Sequence, residues 1–306
     1  METIEADLVT TPPEQVEVAA TRKLGPIGWL SVGWLVLITG SALLAPILPI
    51  ADPDESFGSE IARKGPGAGG HLLGGDTIGR DMLSRVIFGA RTSLLIAVGA
   101  VLLGLVVGGL LGLVAGYVRR KVDTVLTTVF NVFLSIPALV LALSLVAVLA
   151  PTDTGDGGDP VSNTRRVVVL ILALGVVTVP ILGRITRAST LSWSEREFVK
   201  ASEVSGAKPA RIMFREVLPN VFPAMMSIAL LGIAVAIVAE GSLALLGVGI
   251  TEVPTWGNMI EGGRRDLRDA PHIVFIPSGA IFFTVMALNY LGDVIRARFD
   301  VREAVL

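Results

Sequence analysis

The sequence predicts an all-α integral membrane protein with about six transmembrane helices, and three observations support this fold class. Hydrophobic residues make up 52% of the 306 residues and charged residues only 17%, whereas a soluble globular protein carries about a quarter charged residues. The charges collect in short clusters that separate long uncharged segments. Six of these segments approach or exceed the roughly 20 apolar residues that a helix needs to cross a bilayer, and backbone polar groups cannot stay unpaired in lipid, so the segments must be helices.

The six uncharged segments are the predicted spans. Pro137 and Pro180 lie inside the third and the fourth span, where each can kink its helix. The fifth span is interrupted by Glu240 and the sixth by His272. The segments cover residues 24–51, 92–118, 124–152, 167–183, 217–239 and 270–292.

The charged residues predict the orientation and the ends of the chain. Residues 1–23 are polar and begin with acidic residues, which is unlike a secretory signal and predicts a disordered cytoplasmic tail. Basic residues, including the cluster Arg119–Lys121, are more numerous in the connections that lie inside when the N-terminus is inside. We therefore expect both termini in the cytoplasm, with residues 294–306 as a second cytoplasmic tail.

This orientation divides the rest of the chain into two parts. Residues 24–91 supply the first span and an extracytoplasmic segment, and residues 92–293 form a core of five spans. The acidic, Gly-rich connection from Asp153 to Asp159 then lies outside. It lacks the spacing and terminal Glu of a calcium-binding EF-hand and is predicted to be a flexible loop.

The connection between the fourth and fifth spans, residues 184–219, is predicted to form a helical hairpin on the cytoplasmic face. Ser194 precedes Glu197 by three residues, the spacing of a capping box at the start of a helix. Gly206 can adopt the left-handed conformation that ends this helix. Pro209 suits the first turn of a second helix, which is predicted to stop before Pro219.

An apolar stripe runs along this hairpin between charged residues. Two interpretations fit the spacing equally well. Phe198, Val199 and Met213 can be buried in a groove of a partner protein, or the hairpin can lie as an amphipathic turn on lipid headgroups.

The hairpin sequence resembles the EAA loop of permease subunits of ATP-binding cassette (ABC) importers. Gly206 and Leu218-Pro219 match the family pattern, whereas Lys200 and Ser202 stand in place of its Glu and second Ala. The resemblance implies that this loop couples the spans to an ATPase. The coupling residues carried over are Phe198, Val199, Ala201, Gly206, Arg211, Met213, Phe214, Leu218 and Pro219.

Three further segments are similar to the C-type permease of dipeptide, oligopeptide and nickel importers. They are His71–Leu94, Glu240–Ile260 and Asn289–Asp293, and the resemblance extends over nearly the whole chain after Gly25. It implies the MetI-like fold of type I ABC importer permeases. It also implies a pore-forming subunit for short peptides, dipeptides or oligopeptides, in the bacterial plasma (inner) membrane.

The family resemblance implies four partner chains. These are a B-type permease subunit in a heterodimer, two cytoplasmic ATP-binding subunits and an extracytoplasmic substrate-binding protein. Import of nickel or another small solute by the same machinery is the alternative. An ion-gradient-driven carrier, which would need more buried charge than Glu240, and a membrane-bound enzyme are less favoured.

No catalytic motif is found in the sequence. A phosphate-binding P-loop ends in Gly-Lys-Ser/Thr, and no lysine of this chain is followed by Ser or Thr. We therefore expect a permease without its own ATPase site and without a bound cofactor, with ATP and Mg²⁺ on partner ATPase subunits. The chain has no Cys and only two His, so no metal site is expected. The net charge of −2 implies no bulk attraction to nucleic acid.

Three polar residues within the spans are candidates for a translocation pathway. Inserting an ionisable group into the hydrocarbon core costs free energy. Glu240 should therefore face a water-filled pathway, a partner subunit or the outer interface. Asn131 and Asn289 raise the same alternatives.

The second span carries small residues at every fourth position, from Gly104 through Gly108 and Gly112 to Gly116. Such a face allows two helices to approach closely. We expect it to pack within this chain rather than against the partner permease. Just before this span, residues 71–91 are predicted to form a turn and an interfacial helix rather than a contact for the binding protein.

Overall fold

The computed structural model describes residues 25–149, 163–250 and 253–305, and most of these residues are helical. In this described part no β-strand is present, and only two isolated bridges occur. The tail 1–23 and the acidic connection 153–159 lie outside the described residues. The helices are α1 (Pro26–Leu44), α2 (Met82–Leu103), α3 (Gly109–Val118), α4 (Arg120–Ser135), α5 (Ala138–Leu149), α6 (Asn163–Ser194), α7 (Glu197–Val204), α8 (Pro209–Ile212), α9 (Leu218–Leu245), α10 (Trp256–Gly263) and α11 (His272–Val305).

Helix length and hydropathy confirm the predicted fold class. Among the described residues, 5 helical segments are long and apolar enough to cross a membrane. They are Pro26–Ile47, Met82–Val118, Asn163–Ser194, Pro209–Leu245 and His272–Ala297. The pair α4 and α5 supplies a sixth if the two helices form one bent span.

Two long helices contain a π-helical turn. One turn, Gly104–Gly108, joins α2 to α3, and the other, Met213–Val217, joins α8 to α9. The helix therefore continues through Pro219, and the prediction that it stops before this residue is wrong. Leu218 keeps helical angles (φ −55°, ψ −44°), because the π turn changes the hydrogen-bonding pattern directly before the proline, whose N–H is missing.

The start of the hairpin also differs from the prediction. Helix α6 runs on to Ser194, whose Oγ donates a hydrogen bond to the Leu191 carbonyl at 3.0 Å. This hydroxyl is therefore engaged in its own helix and does not cap the next one. Helix α7 begins at Glu197 after Arg196, without a side-chain cap.

The glycine face of the π-helical turn Gly104–Gly108 and α3 packs against α6 within the chain, as predicted. A Cβ atom on Gly108 would lie 2.3 Å from the Val179 carbonyl oxygen, and one on Gly112 would lie 2.2 Å from the Gly183 carbonyl oxygen. Only glycine permits this approach of two backbones, which maximises van der Waals contact between the helices. We call this contact the glycine seam.

The predicted third span is a broken one. Helices α4 and α5 meet at an angle of 89°, because Pro137 cannot continue the hydrogen bonds of α4. Each of the two helices makes its own packing contacts with α6. Phe130 of α4 is 2% exposed and packs on Gly183, whereas Ala142 of α5 is buried in a cluster with residues of α6. We call residues 135–138 the elbow.

The segment before α2 is held by its own polar side chains. Asp81 caps α2 by accepting a hydrogen bond from the Ser84 amide at 2.7 Å, and its other oxygen lies 2.8 Å from His71 Nδ1. Asp76 accepts hydrogen bonds from the amides of Ile78 and Arg80. These contacts form the predicted turn that leads into the second span.

Candidate functional site

Helices α7 and α8 form the predicted hairpin, and a buried apolar cluster anchors it to the bundle. Val199, Ile212 and Val217 are at most 1% exposed. They pack with Leu113 of α3 and Trp193 of α6. The hairpin is therefore fixed to the helices on both sides of the glycine seam.

The reversal between α7 and α8 depends on Gly206. Its φ is +78°, in the left-handed region, and a Cβ atom at this position would meet nothing within 4 Å. A larger residue is therefore excluded by backbone strain rather than by lack of space.

Several apolar side chains are exposed on the outer surface of the hairpin. Val204 is 91% exposed, Phe214 is 45% exposed and Phe198 is 42% exposed, and Ala201 and Arg211 are also exposed. We call the side chains of Phe198, Ala201, Val204 and Phe214 the docking patch.

Two residues of the predicted stripe do not belong to the docking patch. The expectation that Val199 enters a partner's groove is corrected, because this side chain is fully buried inside the chain. Met213 is half-buried against the same anchoring cluster. Leu218 and Pro219 lie in the helix beyond the π turn, and Leu218 also packs against this cluster. The sequence period identified the apolar residues but not which of them face inward.

Polar contacts tie the hairpin to the turn between α3 and α4. Tyr117 Oη donates to Glu203 Oε1 at 3.5 Å. Arg119 Nη2 lies 3.0 Å from Ser194 Oγ and 3.1 Å from Glu195 Oε1. Arg119 itself has φ +59° and ψ −159°, a costly conformation for a residue with a side chain. The turn is thus shaped to meet the end of α6.

Glu240, one of the predicted pathway residues, is buried between the described helices. It is 1% exposed and accepts a hydrogen bond from Ser93 Oγ at 3.3 Å. The same hydroxyl accepts one from the Trp256 amide at 3.1 Å. Glu240 therefore joins α9 to α2 and α10, contacts that are invisible in the sequence because 147 positions separate it from Ser93.

The two asparagines lie near the elbow but do not share a cavity. Asn131 is exposed on α4, one turn before the helix ends. Asn289 of α11 lines a cavity with Ala138 and Leu139 of α5. Its Oδ1 atom is buried and has no hydrogen-bond partner among the described residues.

Two adjoining cavities lie between the start of α5 and α9, and sequence reasoning did not predict them. Their volumes are about 190 and 340 Å³. Among the described residues, no charged side chain lines either cavity. We call the pair the elbow groove. The two cavities share the residues Ala138, Leu139, Leu231, Val235 and Ala239.

The titratable residues suggest no metal centre. Among the described ranges, no group of three or more His, Asp or Glu is placed to hold a metal ion.

Comparison with known proteins agrees with this architecture. A family model, binding-protein-dependent transport system inner membrane component, matches residues 108–304. The dipeptide transport system permease protein DppC of Alkalihalophilus pseudofirmus is 34% identical over 280 residues, covering 91% of this chain and 86% of that protein. The glutathione transport system permease protein GsiD of Pectobacterium atrosepticum is 31% identical, covering 87% of this chain and 84% of that protein.

A solved structure shares the fold. It is a chain of the MetNI methionine ABC transporter in an inward-facing conformation, with a TM-score of 0.55 and 18% identity, covering 71% of this chain and 97% of that chain. This likeness confirms the predicted MetI-like arrangement of helices. The chain belongs to the family of binding-protein-dependent transport system inner membrane components.

Proposed function

We propose that this chain is the C-type, pore-forming permease subunit of an ATP-driven importer of short peptides in the bacterial plasma membrane. The observation that carries the proposal is the docking patch. It is an exposed apolar surface on a hairpin that is rigidly anchored to the bundle, in a chain of this family. Relatives named for dipeptide, di/tripeptide and glutathione transport favour peptides over nickel as the substrate.

The proposal assigns a side of the membrane and a partner to each end of the bundle. The hairpin and both termini lie in the cytoplasm, where the docking patch binds one of two ATPase subunits that hold ATP and Mg²⁺. A B-type permease completes the pore as a heterodimer. A substrate-binding protein delivers peptide at the opposite end, near α10. This chain itself hydrolyses no ATP.

The anchoring cluster explains how the hairpin can act on the pore. Closure of the ATPase dimer moves the docking patch, and Val199 and Ile212 transmit the displacement to α3 and α6 because they are buried in one apolar cluster with residues of those helices. Nucleotide binding then biases two states of the pore by binding one of them more tightly. Asn131 and Asn289 are the polar residues that we place on the pathway, whereas Glu240 is not.

The proposal is tested by reconstituting the chain with its B-type, ATPase and binding-protein partners in liposomes. We expect uptake of a labelled dipeptide that requires ATP and the binding protein. Val204→Glu places a charge in the docking patch and should weaken co-purification of the ATPase by about tenfold or more. Leu72→Glu is the control, because Leu72 is also exposed (73%) but lies in the segment before α2.

Two outcomes would contradict the proposal. One is ATPase association that Val204→Glu and Leu72→Glu leave equally unchanged. The other is ATP hydrolysis by the purified chain alone.

A further inference from the structure

The elbow interrupts the helical hydrogen bonding of the predicted third span and leaves main-chain polar groups without partners. The last carbonyls of α4 and the first N–H groups of α5 have no intrahelical partner by geometry. Ser135 Oγ donates to the Val132 carbonyl at 2.7 Å, and the Ile136 amide donates to the Phe133 carbonyl at 3.3 Å. Within the described part of the chain, no donor reaches the carbonyls of Leu134 and Ser135.

The exposure of the residues around the elbow indicates what surrounds it. All residues from 131 to 140 are exposed. Lipid offers no hydrogen bonds, so irregular backbone occurs at membrane depth only where it is buried in protein or lines a water-filled cavity. A membrane helix of a partner has already paired its own main-chain groups and offers only side chains. Water and an extended peptide, by contrast, supply both donors and acceptors.

The elbow groove beside this backbone has the complementary chemistry. Its shared residues, Ala138, Leu139, Leu231, Val235 and Ala239, are all apolar. Asn289, whose buried Oδ1 has no hydrogen-bond partner among the described residues, is one of the residues that line the larger cavity. A charged side chain in this groove would lose its hydration and meet no counter-charge, which is strongly unfavourable. An apolar side chain would gain by leaving water.

We propose that the elbow groove is a transient binding site for the substrate on this chain, and that it receives an apolar side chain of the peptide while the peptide backbone lies along the elbow. The inference rests on the proposed function, and it adds where the peptide binds on this chain and which peptide side chains are preferred. Contacts to the peptide backbone do not depend on the side chain. The site therefore accepts many sequences and prefers apolar to charged side chains.

Filling the groove tests the proposal. Val235 is 60% exposed and lines both cavities, so Val235→Trp should occupy the space for the substrate. Val148→Trp is the matched control, because Val148 is 76% exposed on α5 and lines neither cavity. We expect Val235→Trp to reduce uptake of Leu-Leu by about tenfold or more and uptake of Gly-Gly by far less, with unchanged peptide affinity of the binding protein. Equal uptake ratios in both variants would overturn the inference.

Photo-crosslinking provides a second test that does not depend on how the Trp variant folds. A benzoylphenylalanine in place of Leu139 should label radioactive Leu-Leu during ATP turnover, whereas one in place of Leu43 of α1 should not. Labelling of lipid or the B-type subunit alone from position 139 would overturn the inference. Absence of peptide uptake by the unaltered complex would instead contradict the proposed function, so the two failures are distinguishable.

Discussion

The glycine seam and the elbow groove are neighbouring regions of one helix bundle with opposite packing. In the seam, glycines of the first π turn and of α3 bring their backbone so close to α6 that a Cβ atom on Gly112 would lie 2.2 Å from the Gly183 carbonyl oxygen. In the groove, α5 and α9 leave cavities of about 190 and 340 Å³. Small residues join helices in a membrane, where apolar side chains gain little by leaving lipid.

This difference indicates which parts move together. The hairpin contacts Leu113 of α3 and Trp193 of α6, which lie on the two sides of the seam. A tightly packed seam resists deformation, so the hairpin, α3 and α6 should move as one body. The groove is where the described helices leave free space beside that body.

Substitution of a glycine in the seam should have the largest effect on stability. Gly112→Val places methyl groups where the α6 backbone lies, and overpacking of this kind costs about 3 kcal/mol or more. We expect little folded protein after detergent extraction, measured by size-exclusion chromatography. Gly40→Val is the control, because a Cβ atom at Gly40 meets nothing within 4 Å. Equal yields of the two variants would show that the seam does not hold the bundle.

Removal of the ion pair between α4 and α6 should have the next largest effect on stability. Arg187 forms an ion pair with Asp123, and Arg187 Nη2 lies 2.7 Å from Asp123 Oδ2. The side chains are 29% and 20% exposed, so Arg187→Ala, which leaves a partly buried carboxylate alone, should cost about 2 kcal/mol, less than for a fully buried pair. Thermal unfolding measures this loss. The double variant with Asp123→Ala should recover part of it, and no recovery would contradict the pairing.

A smaller loss is expected at Glu240, which joins α9 to α2 and α10. Glu240→Ala removes the acceptor for Ser93 and leaves a void, at a cost of about 1.5 kcal/mol. Glu240→Gln preserves the shape and an acceptor oxygen and should retain most stability and transport. Loss of transport in the Gln variant with normal stability would show that Glu240 has a direct role in the pathway after all.

The smallest change in stability is expected at Gly206. Gly206→Val forces a left-handed φ on a β-branched residue, at a cost of about 1 kcal/mol or somewhat more, and should lower peptide uptake per ATP hydrolysed. Gly247→Val is a matched control, since Gly247 has φ +83° and equally open surroundings but lies beyond the end of α9. The same uptake-to-hydrolysis ratio in both variants would argue against coupling through the hairpin.

Short sequence patterns correctly predicted several features of the fold. Hydropathy located the spans, the spacing from Gly104 to Gly116 predicted the seam, and the position of Gly206 predicted the hairpin turn. These features depend on residues close in sequence or on a single repeated period.

Features that depend on distant residues were missed. Pro137 predicted a kink. It did not predict the 89° angle between α4 and α5, which are two helices that each pack on α6. Pro219 predicted a helix end, but the helix continues through it after a π turn, for which the sequence gives no signal. The burial of Val199 requires Leu113 and Trp193, which approach only in the folded bundle.

The most direct test of the account is whether the elbow lies in water while the opposite face of the bundle lies in lipid. The chain has no Cys, so single-cysteine variants need no prior replacement. A methanethiosulfonate reagent with a fixed charge reacts with thiolate, which forms readily only where water is present. In the assembled complex we predict rapid labelling of Ala138→Cys that Leu-Leu slows during turnover, and negligible labelling of Leu37→Cys on α1. Equally slow labelling at both positions, with no effect of peptide, would contradict the account.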